Sequence, residues 1–146
     1  YQHFSAVAAA APLPVVLYNV PSRTAAAIAN ETTLRLIKAH ENIIGIKDAS
    51  ANMTLNAELI KAVPEHFLVL SGDDETALNL CEIGGHGVIS VIAGALPKQF
   101  STLIHYGLNG DFTAAKRLLE EIKPMIDLLF AHHILEWYCY ENHDSL

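Results

Sequence analysis

Four short apolar runs recur along the chain, at residues 15–20, 43–47, 67–70 and 87–92, and a stretch of helical pattern follows each. Strands separated by helices cannot pair as hairpins. They are joined by crossovers, which calls for a parallel sheet in an α/β fold. Residues 29–39 carry Leu34, Ile37 and Lys38 at helical spacing, with Asn30 as the expected cap, and residues 54–63 carry Leu55, Leu59, Ile60 and Val63. Residues 74–83 open on acidic groups, which favour a helix N-terminus, and stop before Gly84-Gly85. Two longer helices are expected at 97–108 and 111–130.

Four βα units suit either a small open sheet or half of an eight-unit (β/α)8 barrel. A whole barrel needs about 250 residues, and this chain has 146. It opens at Tyr1-Gln2-His3-Phe4, already within an amphipathic pattern that runs to Ala11 with no cap before it. The reading is therefore a barrel half cut within a helix, rather than a complete domain.

Composition excludes several function classes. Hydrophobic residues make up 51% and charged residues 17%, the balance of a filled core and not of a disordered chain. A net charge of −7 with no basic stripe argues against nucleic acid. The most apolar stretch, residues 6–20, is broken by Pro12 and Pro14 and falls short of the roughly 20 residues a membrane span needs. Cys81 and Cys139 are too few for a disulfide framework and no secretory signal is visible, so a reducing cytoplasm is the default.

Lys47 closes the second apolar run, Ile43-Ile44-Gly45-Ile46-Lys47-Asp48, where a buried parallel strand should hold no cation. The plain reading is a strand-end lysine that snorkels into solvent. The chemical reading is a desolvated amine that attacks a carbonyl and forms a Schiff base. In parallel α/β folds, function gathers at the C-terminal ends of strands. Each run here ends in polar or small residues: Tyr18-Asn19, Lys47-Asp48, Ser71-Gly72-Asp73 and Ser90. Alternation places Ile43, Gly45 and Lys47 on one face, with Gly45 expected to leave room beside Lys47, and Val16, Tyr18 and Val20 on one face of the first strand. Tyr18 and Lys47 can thus both point inward, and a phenol beside an imine-forming amine is a sensible proton relay. In the loop after the first strand, the Arg23 guanidinium matches a substrate carboxylate. In isolation, a core tyrosine and an exposed loop arginine are the plainer readings of Tyr18 and Arg23.

Four strings, in order, carry a resemblance: residues 18–24 (Tyr-Asn-Val-Pro-Ser-Arg-Thr), 44–49 (Ile-Gly-Ile-Lys-Asp-Ala), 70–74 (Leu-Ser-Gly-Asp-Asp) and 84–91 (Gly-Gly-His-Gly-Val-Ile-Ser-Val). Together they closely resemble the dihydrodipicolinate (4-hydroxy-tetrahydrodipicolinate) synthase family over residues 1–131, the second half of that family's TIM barrel. The resemblance implies that Lys47 forms an imine with pyruvate and that Tyr18 relays protons. It also implies that Arg23 holds the carboxylate of aspartate semialdehyde, and that Gly72 and Ile89 line the pyruvate pocket, Ile89 through its backbone. No metal or organic cofactor is implied, because the imine is the electron sink. The implied partners are these two small molecules and further copies of the chain, since the family is usually tetrameric. The N-acetylneuraminate lyase group is similar at Tyr18, Asn19, Pro21 and the lysine but usually lacks the counterpart of Arg23. A non-catalytic half-barrel is the other alternative, because the threonine pair and second tyrosine of the family's first half have no counterpart here.

The resemblance lapses after residue 131, and residues 132–146 read as a divergent tail of the kind a frameshift leaves. The tail's His132, His133, Glu136, Cys139 and His143 match no metal-ligand spacing. Gly84-Gly85-His86-Gly87 precedes a strand and reads as a turn, not a phosphate loop. Asp73 and Asp74 read as helix-start residues.

Overall fold

The computed structural model describes residues 1–131. Helix α1 (Gln2–Ala10) leads into strand β1 (Val15–Asn19), followed by a single turn α2 (Pro21–Thr24) and helix α3 (Asn30–Ala39). Strand β2 (Ile43–Asp48), helix α4 (Met53–Ala62), strand β3 (Leu68–Ser71) and helix α5 (Ala77–Glu82) continue the alternation. A 3-10 turn at Ile92–Gly94 precedes α6 (Pro97–Leu108) and α7 (Phe112–Ala131). The sheet is parallel with order β1-β2-β3, so neighbours in sequence are neighbours in space.

The fourth expected strand, residues 87–92, shrinks to a single bridge between Ser71 and Val88. Two parallel-type hydrogen bonds support it, Ser71 N to Gly87 O at 2.8 Å and Ile89 N to Ser71 O at 2.9 Å. Two local causes end the ladder there. Gly87 has φ +139°, a conformation side chains rarely adopt. Beyond it, the Asp74 carboxylate accepts from Val91 N (3.1 Å) and Ile92 N (2.8 Å) and draws the chain into the 3-10 turn. Asp74 is therefore buried glue for this corner and not a helix-start residue. Asp73 keeps the expected role, accepting from Thr76 N and Thr76 Oγ1 just ahead of α5. Asn30 lies inside α3, after an Ala29 cap, and its amide donates instead to Leu55 O at 2.9 Å. The loop expected after β1 folds as α2, with Pro21 in its first turn.

The two faces of the sheet differ. Leu17, Ile46 and Val69 are buried beneath Leu36, Leu59, Phe67, Leu80 and Ala8, a core to which each fully buried aliphatic side chain adds about 1.5–3 kcal/mol. A second core joins α5, α6 and α7 through Leu78, Phe100, Leu103 and Ile126. The opposite face is more open, and Val16 and Tyr18 are exposed on it. Gly45 sits on this face, yet its space is not beside Lys47: a Cβ there would meet Leu68 O at 2.8 Å, so the glycine serves the approach of β3.

Candidate active site

The register of β1 and β2 pairs Tyr18 with Lys47 and Asn19 with Asp48. Both strands end at the same edge, so alternation sends Tyr18 and Lys47 to the open face and Asn19 and Asp48 to the helix-covered one. Lys47 Nζ stands 4.4 Å from the centroid of the Tyr18 ring, a cation–π distance. Tyr18 is 47% exposed, while Lys47 is half-buried.

Gly72, one residue beyond β3, gives the lysine its passage. A Cβ at Gly72 would lie 3.0 Å from Lys47 Cε, 3.1 Å from Lys47 Cγ and 2.8 Å from Ala49 Cβ. Its backbone N–H donates to Asp48 O at 2.7 Å, which draws the loop against the lysine stem. Ile89 follows the Val88 bridge beside β3, 46% exposed, with its N–H spent on Ser71 O. Arg23 lies on α2, exposed, at the same edge of the sheet and five residues past Tyr18 in the chain.

Behind the pair lies a polar network on the covered face. Asn19 donates through Nδ2 to Asp48 Oδ1 and accepts from Ile28 N at 2.9 Å. Asp48 Oδ2 accepts from Ser50 Oγ (2.6 Å) and Asn56 Nδ2 (2.9 Å). Asn19, Asp48 and Asn56 are all buried, so a carboxylate under the helices keeps donors on both oxygens. Strand alternation puts Asp48 on the face opposite Lys47, but the sequence alone does not reveal this pairing. The signal was a polar residue directly after each inward-pointing one.

Among the described residues, no group of three or more His, Cys, Asp or Glu could hold a metal ion, and no helix is long and apolar enough to cross a membrane. The tail, residues 132–146, with its His132, His133, Glu136, Cys139 and His143, lies outside the described residues.

The model of the dihydrodipicolinate synthetase family matches residues 1–137. The 4-hydroxy-tetrahydrodipicolinate synthase of Neisseria meningitidis serogroup C (strain 053442) is 50% identical over 130 residues, covering 89% of this chain and 44% of the relative. The enzyme of the same name from Phocaeicola vulgatus is 47% identical over 130 residues, with the same coverage. In structure, the dihydrodipicolinate synthase of Aquifex aeolicus superposes with a TM-score of 0.87 at 37% identity, covering 89% of this chain and 44% of that one. The chloride-inhibited dihydrodipicolinate synthase of Acinetobacter baumannii, complexed with pyruvate, has a TM-score of 0.86 at 39% identity, covering 97% and 49%. The chain thus spans under half the length of the curated relatives it matches, and its α/β units correspond to part of a TIM barrel.

Proposed function

Since the chain belongs to the dihydrodipicolinate synthetase family, we propose that Lys47 is its imine-forming residue and that pyruvate is the carbonyl substrate. The observation that carries this reading is the Lys47 amine over the Tyr18 ring, 4.4 Å from its centroid, at the C-terminal ends of adjacent parallel strands. The similar Acinetobacter baumannii enzyme, solved with pyruvate, supports the choice of substrate.

In this reading Lys47 Nζ attacks C2 of pyruvate and water leaves, giving an iminium. Loss of a proton from C3 gives an enamine, which attacks the aldehyde carbon of aspartate 4-semialdehyde. The amine of that substrate then closes the ring onto C2 and expels Lys47, releasing 4-hydroxy-tetrahydrodipicolinate. Tyr18 shuttles the protons, Arg23 pairs with the semialdehyde carboxylate, and Gly72 with the Ile89 backbone borders the pyruvyl group. The iminium is itself the electron sink, so the scheme asks for no metal or organic cofactor.

A second reading, a half-barrel that binds but does not turn over, is favoured by the exposure of the site. Water reaches Tyr18 freely, whereas efficient imine chemistry benefits from a dry cavity. The open sheet face also favours association of copies. Intact-mass spectrometry after incubation with pyruvate and borohydride tests imine formation, and product release on adding aspartate semialdehyde tests turnover. The proposal expects a single pyruvyl addition with slow turnover. No addition to the folded chain would refute it.

A further inference from the structure

We propose that Asp48 is a positioning residue: with Asn19 it clamps the ends of β1 and β2 from behind and so sets the distance between Tyr18 and Lys47. This rests on the reading of Lys47 as the imine-forming residue. The two pairs are consecutive rungs of the same ladder, Tyr18 with Lys47 and Asn19 with Asp48. The outer rung is tied by main chain, Ala49 N to Asn19 O at 2.8 Å, and by side chain, Asn19 Nδ2 to Asp48 Oδ1.

A strand end would ordinarily fray at this point. Here one carboxylate collects donors from three directions: Asn19 on β1, Ser50 in the loop after β2, and Asn56 on α4. Asn19 is held in turn by Ile28 N, which ties the segment after α2 to the same cluster. The backbone of Asp48 also accepts from Gly72 N at 2.7 Å, and Gly72 is the residue against which the Lys47 stem packs. The strand that carries Tyr18 and the Gly72 backbone that flanks the lysine stem are thus both bonded to Asp48, whose side chain points away from the open face. Because adjacent strand residues share one backbone orientation, pinning Asp48 aims Lys47. Chemistry between groups held in a reactive geometry is sensitive to displacements of about 1 Å.

Three variants test the clamp: Asp48→Asn, Asn19→Ala and the double variant. The amide of Asp48→Asn turns an NH2 group either toward Asn19 or toward Ser50 and Asn56, so it sets donor against donor on one side of the network without changing shape. The readouts are the rate of borohydride-trapped pyruvyl adduct at Lys47 and the nuclear Overhauser contact between the Tyr18 ring and the Lys47 ε-methylene, with circular dichroism to confirm folding. Each single variant should slow adduct formation about tenfold and weaken the Overhauser contact. The double variant should be no slower than the worse single, since both remove the same interaction. Asp48→Glu, which keeps both oxygens, should recover most of the rate. If Asp48→Asn does not fold, Ser50→Ala removes one arm from a less buried donor and should slow trapping about threefold.

Folded variants with wild-type trapping and an unchanged Overhauser contact would overturn the clamp, as would effects that multiply in the double variant. If the wild type itself forms no adduct, the imine reading fails. The Overhauser contact alone then decides whether Asp48 positions the pair.

Discussion

The two faces of the three-stranded sheet are built from alternate residues of the same strands, and they divide the work. On the covered face Leu17, Ile46 and Val69 are buried, and the polar residues there, Asn19 and Asp48, are bonded to neighbours. On the open face an exposed Tyr18 and a half-buried Lys47 meet at the strand ends. A shift of register by one residue would exchange the two sets, so the apolar layer that holds the fold also dictates which way the amine points. The core therefore specifies which residues face the site, although it is built on the opposite face.

The sharpest way to break this comparison is to delete the amine. Lys47→Ala should abolish the pyruvyl adduct while moving the urea denaturation midpoint little, because no core contact is lost. Next comes a matched pair of truncations on β1. Leu17→Ala should cost about 2–5 kcal/mol in urea denaturation, whereas Val16→Ala, one residue away on the exposed face, should stay within about 0.5 kcal/mol. Equal costs would mean that the faces are not distinct.

Tyr18→Phe sharpens the comparison by keeping the ring and removing the hydroxyl. Adduct formation followed by stopped borohydride reduction should slow by about a hundredfold, with stability unchanged. Gly72→Ala is expected to do less. The added methyl must push the Lys47 stem and Ala49, so trapping should slow about tenfold and stability fall by about 1 kcal/mol.

The smallest effect concerns the second core. Burial pushes the Cys81 thiol above its ordinary value of 9.0, outweighing a backbone hydrogen bond that acts the other way. The unfolded chain therefore loses this proton first as pH rises. The contribution to stability is complete below the ordinary value, declines above it and is gone beyond the folded value. Urea midpoints should be flat from neutral pH to the ordinary thiol value and fall above it, by less in Cys81→Ala than in the wild type.

Much of this is legible in the sequence. Three of the four apolar runs are strands, and the period-two placement of Tyr18 and Lys47 on one face holds. What escaped was decided by single polar contacts between residues distant in sequence. Residues 87–92 carry the composition of a strand, yet the Asp74 carboxylate seventeen residues earlier takes the Val91 N–H and curtails pairing. Asp48 read as a strand-end acid, and only the fold brings Asn19 and Asn56 to it. Gly45 was expected to make room for the lysine. That room comes instead from Gly72, which lies beyond the end of a different strand. Periodicity predicts faces, while partners across the sheet require the register.

The most direct test of the account is to locate the reduced pyruvyl group among the six lysines, Lys38, Lys47, Lys61, Lys98, Lys116 and Lys123, by peptide mass spectrometry of the folded chain. The account predicts modification confined to Lys47 and suppressed when the chain is first unfolded in urea. Modification spread over the exposed lysines, or equal labelling of Lys47 in folded and unfolded chain, would contradict the claim that the open face builds an imine site.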